Sequence, residues 1–176
     1  MTFESLAKKR YSCRSYDANR TVEREKLDKI IETANLAPSA CNAQPYQFFI
    51  VTGAKMKEVA EARSLKMNKF IEDCGAFLVI CEGKYNFSAR LGASMKDQDY
   101  RSIDIGIVCA HMVFQAHELG LGTCILGMFD ENKVKKIIGC DNRVRLILAV
   151  GYPSSESRAP AVKKRKPIHE IAKYIE

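Results

Sequence analysis

Arg10, Ser12 and Arg14 recur with a period of two in the segment Arg10-Tyr11-Ser12-Cys13-Arg14-Ser15-Tyr16. Alternate residues of an extended chain share a face, so two guanidiniums would flank one hydroxyl. Guanidinium forks give charge-assisted donors that suit a phosphate; a solvated basic stretch is the plain alternative. A second segment, Pro38-Ser39-Ala40-Cys41-Asn42-Ala43-Gln44-Pro45-Tyr46, is small, polar and twice broken by proline. Asn and Gln amides both donate and accept, which suits the edge of a heterocycle, although an ordinary connecting loop has the same composition. Cys41 has no base beside it in the sequence and reads as an isolated thiol. A third segment runs from Gly120 to Phe129. It is not a dinucleotide fingerprint, which needs GxGxxG between a strand and a helix. Gly127 lets the backbone approach a flat ligand; a helix cap followed by a turn explains the same glycines. The fourth segment, Lys163-Lys164-Arg165-Lys166-Pro167, reads as a solvated tail or a nonspecific nucleic-acid contact. It has no interleaved aromatics and no nucleic-acid motif.

Other chemistries have little to stand on. The seven cysteines are dispersed, and none forms a CxxC or a Cys/His pair at zinc spacing. Most lie in apolar runs, where a free thiol acts as a small hydrophobe, and a reducing, cytoplasmic compartment is the expectation. His111 and His117 are six apart, not the i, i+4 spacing of a helical metal pair, and read as core or interface histidines. No run of 18 apolar residues and no apolar leader occurs, so neither a membrane span nor a signal peptide is expected. With 47% apolar and 28% charged residues in 176, disorder is not expected. One folded domain over 1–176 is the simplest organisation.

The elements that must position these segments are legible in outline. Thr2 caps a short helix carrying Phe3 and Leu6. Thr21 is expected to cap an amphipathic helix with Val22, Leu27, Ile30, Ile31 and Ala34 on one stripe, ending before Pro38. Residues 46–52 are β-branched and aromatic and predict a strand, 54–64 a helix, and 76–81 a buried strand. Residues 83–98 are polar and read as irregular. Residues 102–119 form the longest helix, apolar on most faces and therefore central or covered by a second subunit. A short strand over 123–126, a helix from Asp130 to Gly139 and a strand over 144–150 complete an α/β or α+β sandwich with at least four strands.

Singly these signals are weak, but their order and spacing resemble the FMN-dependent nitroreductase family from end to end. Arg10, Ser12, Arg14 and Tyr16 match its opening R-x-S-x-[RK]-x-[FY] pattern. Pro38, Ser39, Asn42, Gln44, Pro45, Tyr46 and Phe48 match P-S-x-x-N-x-Q-P-[WY]-x-F. Gly120 to Cys124 matches G-L-G-[ST]-C, and Gly151-Tyr152-Pro153 and Arg165-Lys166-Pro167 match the closing turn and basic stretch. The chain departs in having Gly127-Met128 where the family commonly has Gly-Gly or Glu-Gly, and in lacking a large insertion within 65–100.

The resemblance implies an α+β fold: an α-β-α sandwich with a central, mainly antiparallel sheet and a C-terminal tail exchanged across a homodimer. It implies two FMN sites at the subunit interface. Arg10, Tyr11, Ser12 and Arg14 would hold the cofactor from one chain, with Lys163 and Arg165 reaching the same site from the tail and Lys164 and Lys166 facing away. Pro38, Ser39, Ala40 and Asn42 would come from the partner, and Leu126 and Gly127 would place backbone groups near flavin N5 and O4. The implied activity passes electrons from NADH or NADPH through flavin N5 to a nitroaromatic, quinone or similar small acceptor by a ping-pong mechanism. The cofactor carries the chemistry, so no catalytic side chain and no metal is needed. Flavin storage, or a specialised biosynthetic role on the same fold, is the alternative; nucleic-acid and membrane partners are not expected.

The charge distribution fits this reading. Residues 1–20 carry a net charge of +3 and residues 158–176 a net charge of +4, while the 137 residues between are neutral. Two basic ends are thereby expected to converge on one phosphate.

Overall fold

The computed structural model describes residues 1–64, 67–159 and 163–176. Its centre is a sheet of four strands: β1 (Tyr46–Val51), β2 (Ala76–Glu82), β3 (Gly122–Leu126) and β4 (Val144–Gly151). The spatial order is β1-β2-β4-β3, and every pairing is antiparallel. Seven helices accompany it among the described residues: α1 (Phe3–Lys9), α2 (Arg24–Ala34), α3 (Lys55–Glu61), α4 (Phe87–Lys96), α5 (Tyr100–Glu118), α6 (Glu131–Ile138) and α7 (Ile168–Ile171).

The continuous apolar run of β2 is explained by burial on both faces, the situation in which strand alternation disappears. Phe77, Val79 and Cys81 point into one core with Val59, Ala60, Val134 and Ile137 of α3 and α6. Ala76, Leu78 and Ile80 point into the other with Leu27, Ile30, Ala34, Val108 and Met112 of α2 and α5. Helices on both faces of an antiparallel sheet make the expected α-β-α sandwich.

Local signals mostly act as the sequence predicts. Thr2 Oγ1 accepts from Ser5 N at 3.3 Å and starts α1, and Asp130 accepts from Lys133 N at 3.0 Å and starts α6. Gly139, at φ 66°, ends α6 in the left-handed conformation that glycine adopts without strain. Two expectations are corrected. Thr21 does not cap α2: the helix begins at Arg24 with Glu23 at the cap position and no side-chain cap bond. The Glu23 carboxylate is engaged by the Tyr152 hydroxyl at 2.6 Å instead, and Val22 is buried in the extended approach, against Gly75. Residues 83–98 are not irregular, since α4 occupies Phe87–Lys96. Its starting signal is Asn86, whose Oδ1 accepts from Ala89 N at 2.8 Å, a cap hidden by the weak helix formers Ser88, Gly92 and Ser94 that follow.

Candidate functional site

The first basic segment is placed by a narrow contact with β3. Ser12 bridges Thr123 in parallel fashion, and Cys13 N donates to Thr123 O at 2.8 Å. The approach is close because Gly122 has no side chain: a Cβ there would lie 2.7 Å from both Cβ and Sγ of Cys13. Side chains then lock the chain after β4 onto the same segment. The Tyr11 and Ser157 hydroxyls lie 2.9 Å apart and those of Ser15 and Ser154 2.7 Å apart, while Ser154 N donates to Ser15 O at 3.1 Å.

The result is a cleft of about 790 Å³ lined by Arg10, Tyr11, Ser12, Arg14 and Ser15 from one end of the chain and by Ser157, Arg158, Lys163, Lys164 and Arg165 from the other. The two basic ends thus converge within one subunit. Lys163 Nζ donates to Ala7 O at 2.6 Å, which pins the tail to α1. Lys164 lines the same cleft as Lys163 and Arg165, so the expected alternation of the tail, with Lys164 turned away, does not hold. Arg158 and Ser157 were not singled out in the sequence; an isolated Arg and a Ser-rich turn give little signal before folding brings them to the cleft.

The electrostatics are those of an anion receptor. Glu156 is the single carboxylate on the lining, and among the described residues no carboxylate pairs with Arg10, Arg14, Lys163 or Arg165. Burial, then the charge of Arg165, holds Arg10 below its ordinary value. Burial, then Arg10 and Arg165, does the same to Lys163. His117, on the last turn of α5, is held low by burial and then by Arg10, Lys163 and Lys9. Crowded cations of this kind gain from a multiply charged anion.

Pro38, Ser39, Ala40 and Asn42 lie elsewhere. Their loop enters β1 at Tyr46, which faces Glu82 across the sheet, whereas the basic cleft is anchored where Gly122 of β3 faces Gly151 of β4. Ala40 N is held by Asp104, near the start of α5, at 3.1 Å. Asp104 and His117 are separated by roughly 20 Å of helix. The loop is bent tightly, with Cys41, Asn42 and Gln44 all at positive φ (51°, 50° and 45°), and is tied down at several points. Ser39 Oγ accepts from Gln44 N at 3.0 Å, and Asn86 Nδ2 donates to Cys41 O at 3.0 Å. Leu126 is buried at the end of β3, Gly127 is exposed, and a Cβ on Gly127 would meet nothing within 4 Å. Neither lines the basic cleft. The structure therefore gathers Arg10, Tyr11, Ser12, Arg14, Lys163 and Arg165, and leaves Pro38, Ser39, Ala40, Asn42, Leu126 and Gly127 outside that cleft.

The donor set fits FMN at its phosphate end: forked and point cations, the four hydroxyls of Tyr11, Ser12, Ser15 and Ser157, and a volume within the range of about 300–1,000 Å³ usual for cofactor sites. No group of three His, Cys, Asp or Glu side chains placed to hold a metal occurs among the described residues. Three of the cysteines offer little reactive thiolate, burial pushing Cys74, Cys81 and Cys109 up to about 12.

Comparison with known proteins follows the same lines. The Nitroreductase family model matches residues 7–152. The chain is 28% identical to the oxygen-insensitive NADPH nitroreductase of Helicobacter acinonychis, with 98% of this chain and 96% of the relative covered. It superposes on the crystal structure of a nitroreductase family protein from Clostridium difficile 630 with a TM-score of 0.80 and 30% identity, over 99% and 98% of the two chains. A protein from Exiguobacterium sibiricum 255-15, solved in complex with FMN, shares the fold with a TM-score of 0.81 at 22% identity, over 99% and 98% of the chains. With the family pattern matched from the first basic segment through the end of β4, this chain belongs to the nitroreductase family.

Proposed function

We propose that the protein is a homodimeric, FMN-dependent oxidoreductase that takes electrons from NADH or NADPH and passes them to a nitroaromatic, quinone or similar small acceptor in a ping-pong cycle. The observation that carries the proposal is the convergence of both basic chain ends on one cleft, in which no carboxylate among the described residues pairs with Arg10, Arg14, Lys163 or Arg165. FMN, when bound, supplies the two-electron chemistry that no side chain here provides.

The residues have distinct tasks. Arg10, Arg14, Lys163 and Arg165 hold the phosphate, helped by the Tyr11 and Ser12 hydroxyls. Their surplus positive charge also favours an anionic reduced cofactor. Pro38, Ser39, Ala40 and Asn42 complete the site from the partner subunit, because within one chain they sit at the far end of α5. Leu126 and Gly127 offer backbone groups to the ring edge, with open space over Gly127. Two features support the dimer. A groove of about 600 Å³ between α1 and α5 is lined by Phe3, Leu6, Ile107, Ala110 and Phe114. The tail beyond Pro167 keeps Ile168, Ile171, Tyr174 and Ile175 exposed, as an exchanged segment would before it meets its partner.

The test is the absorbance spectrum of the purified protein, followed by NAD(P)H oxidation with a quinone or nitrofuran. A yellow protein with a flavin spectrum and acceptor-dependent turnover is expected. A preparation that stays colourless in excess FMN overturns the reading, and bound flavin without nicotinamide turnover points to storage instead.

A further inference from the structure

Asp104 is an anomaly of the long helix. It is 2% exposed on a face otherwise made of Ile105, Val108, Cys109 and Met112, and a carboxylate is rarely buried so far without a reason. No cation pairs with it among the described residues. Its Oδ1 accepts the Ala40 N–H at 3.1 Å, and its Oδ2 has no hydrogen-bond partner among the described residues. The hydroxyl of Tyr46, where the same loop enters β1, is likewise buried and unpartnered, and it lies close enough to Asp104 for that charge, after burial, to raise its pKa. Two orphaned polar atoms therefore accompany the Pro38–Tyr46 segment, although buried polar groups are satisfied almost everywhere in folded proteins.

We propose that Asp104 is a positioning residue that fixes the Pro38–Asn42 loop in its ligand-facing conformation by holding Ala40 N–H. The loop needs such an anchor. Cys41, Asn42 and Gln44 all occupy the left-handed region, which side-chain-bearing residues hold only when the surroundings over-determine them. Asn86 holds the exposed side of the loop through Cys41 O, Ser39 and Gln44 close it internally, and Asp104, a buried residue of α5, holds it from beneath through Ala40 N. Burial pushes the Asp104 carboxyl above its ordinary value and the Ala40 N–H offsets part of that cost, so the backbone bond is what favours an acid at this buried position. The inference rests on the reading that this loop meets FMN in the partner subunit.

The experiment compares Asp104→Ala with Asp104→Asn in the full-length protein, by hydrogen exchange of the peptide containing Ala40, labelling of the exposed Cys41 thiol, FMN affinity, and kcat per bound flavin. In Asp104→Ala, exchange at Ala40 and labelling at Cys41 should accelerate, and FMN affinity should fall about 10- to 100-fold, the scale of losing one hydrogen bond to a charged group. Asp104→Asn keeps an acceptor for Ala40 N–H and should restore the exchange protection and most of the affinity. A purely structural role predicts a lower Tm with unchanged FMN affinity in the folded fraction. If Asp104→Ala does not fold, Ala40→Pro removes the donor instead. Ser39 is already extended (φ −144°, ψ 158°), as a residue before proline prefers. Unchanged exchange at the loop in Asp104→Ala overturns the proposal, whatever the flavin results. Faster exchange with unchanged FMN affinity and turnover overturns it by the other route, because the loop would then not face the cofactor.

Discussion

Arg10 and Lys163 share a cleft in which burial makes both charges costly, with Arg165 adding to the cost for Arg10, and Arg10 and Arg165 adding to it for Lys163; a bound phosphate offsets that cost. Arg10→Ala or Arg14→Ala is therefore expected to weaken FMN binding about 10- to 100-fold, the loss of a charge-assisted bond. Lys166→Ala, on an exposed side chain outside the lining, should change it little; fluorescence titration of FMN reads the difference. Equal effects from all three substitutions would mean a diffuse electrostatic role. His117 gives a second residue-level expectation. Burial, with help from Arg10, Lys163 and Lys9, lowers its folded-state pKa below the ordinary value. The unfolded chain then binds more protons in the window between the lowered value and about 6.5, so stability rises with pH through that window. Below it the penalty is fully present. His117→Gln should flatten the acid side of a Tm-versus-pH profile, and FMN should move the His117 NMR titration upward by screening its neighbours.

At the level of elements, α5 does several tasks at once. Ile105, Val108 and Met112 face the sheet, Asp104 holds the Pro38–Asn42 loop, and Ile107, Ala110 and Phe114 line the groove beside α1. That division explains a helix that is apolar on most faces. Ala110→Asp places a charge in the groove at an exposed position that belongs to neither core. It should convert the proposed dimer to monomer in analytical ultracentrifugation and release FMN, while the far-UV spectrum stays intact. A variant that remains dimeric with full FMN occupancy would remove this groove from the interface. The helix was legible because its apolar pattern is long. α4 was not, because its starting signal is a single Asn86 and the weak helix formers Ser88, Gly92 and Ser94 dilute the i, i+4, i+8 stripe of Phe87, Leu91 and Met95.

For the whole molecule, the two chain ends meet on one cleft while the neutral middle builds the sandwich between them. Removing residues 160–176 takes away Lys163, Lys164 and Arg165 together. FMN affinity should drop at least about 100-fold, more than for either single basic substitution. The sheet should survive, since β1 to β4 and both cores lie before the cut. Retained flavin in the truncated protein, seen as a yellow gel-filtration peak, would contradict the convergence argument.

The sequence by itself determined the four strands, the long central helix and the basic segment between α1 and α2, because those depend on local patterns: apolar runs, turn residues and spacing along the chain. It also marked Pro38 to Tyr46 as unusual through its prolines and amides. Only the tertiary structure decided that Ser154, Ser157 and Arg158 reach the first basic segment, that Lys164 joins the cleft, and that Asp104 lies under the loop. Each of these is a contact between residues at least 60 positions apart. No local pattern encodes such a meeting, which is settled by how the two cores pack the helices against the sheet.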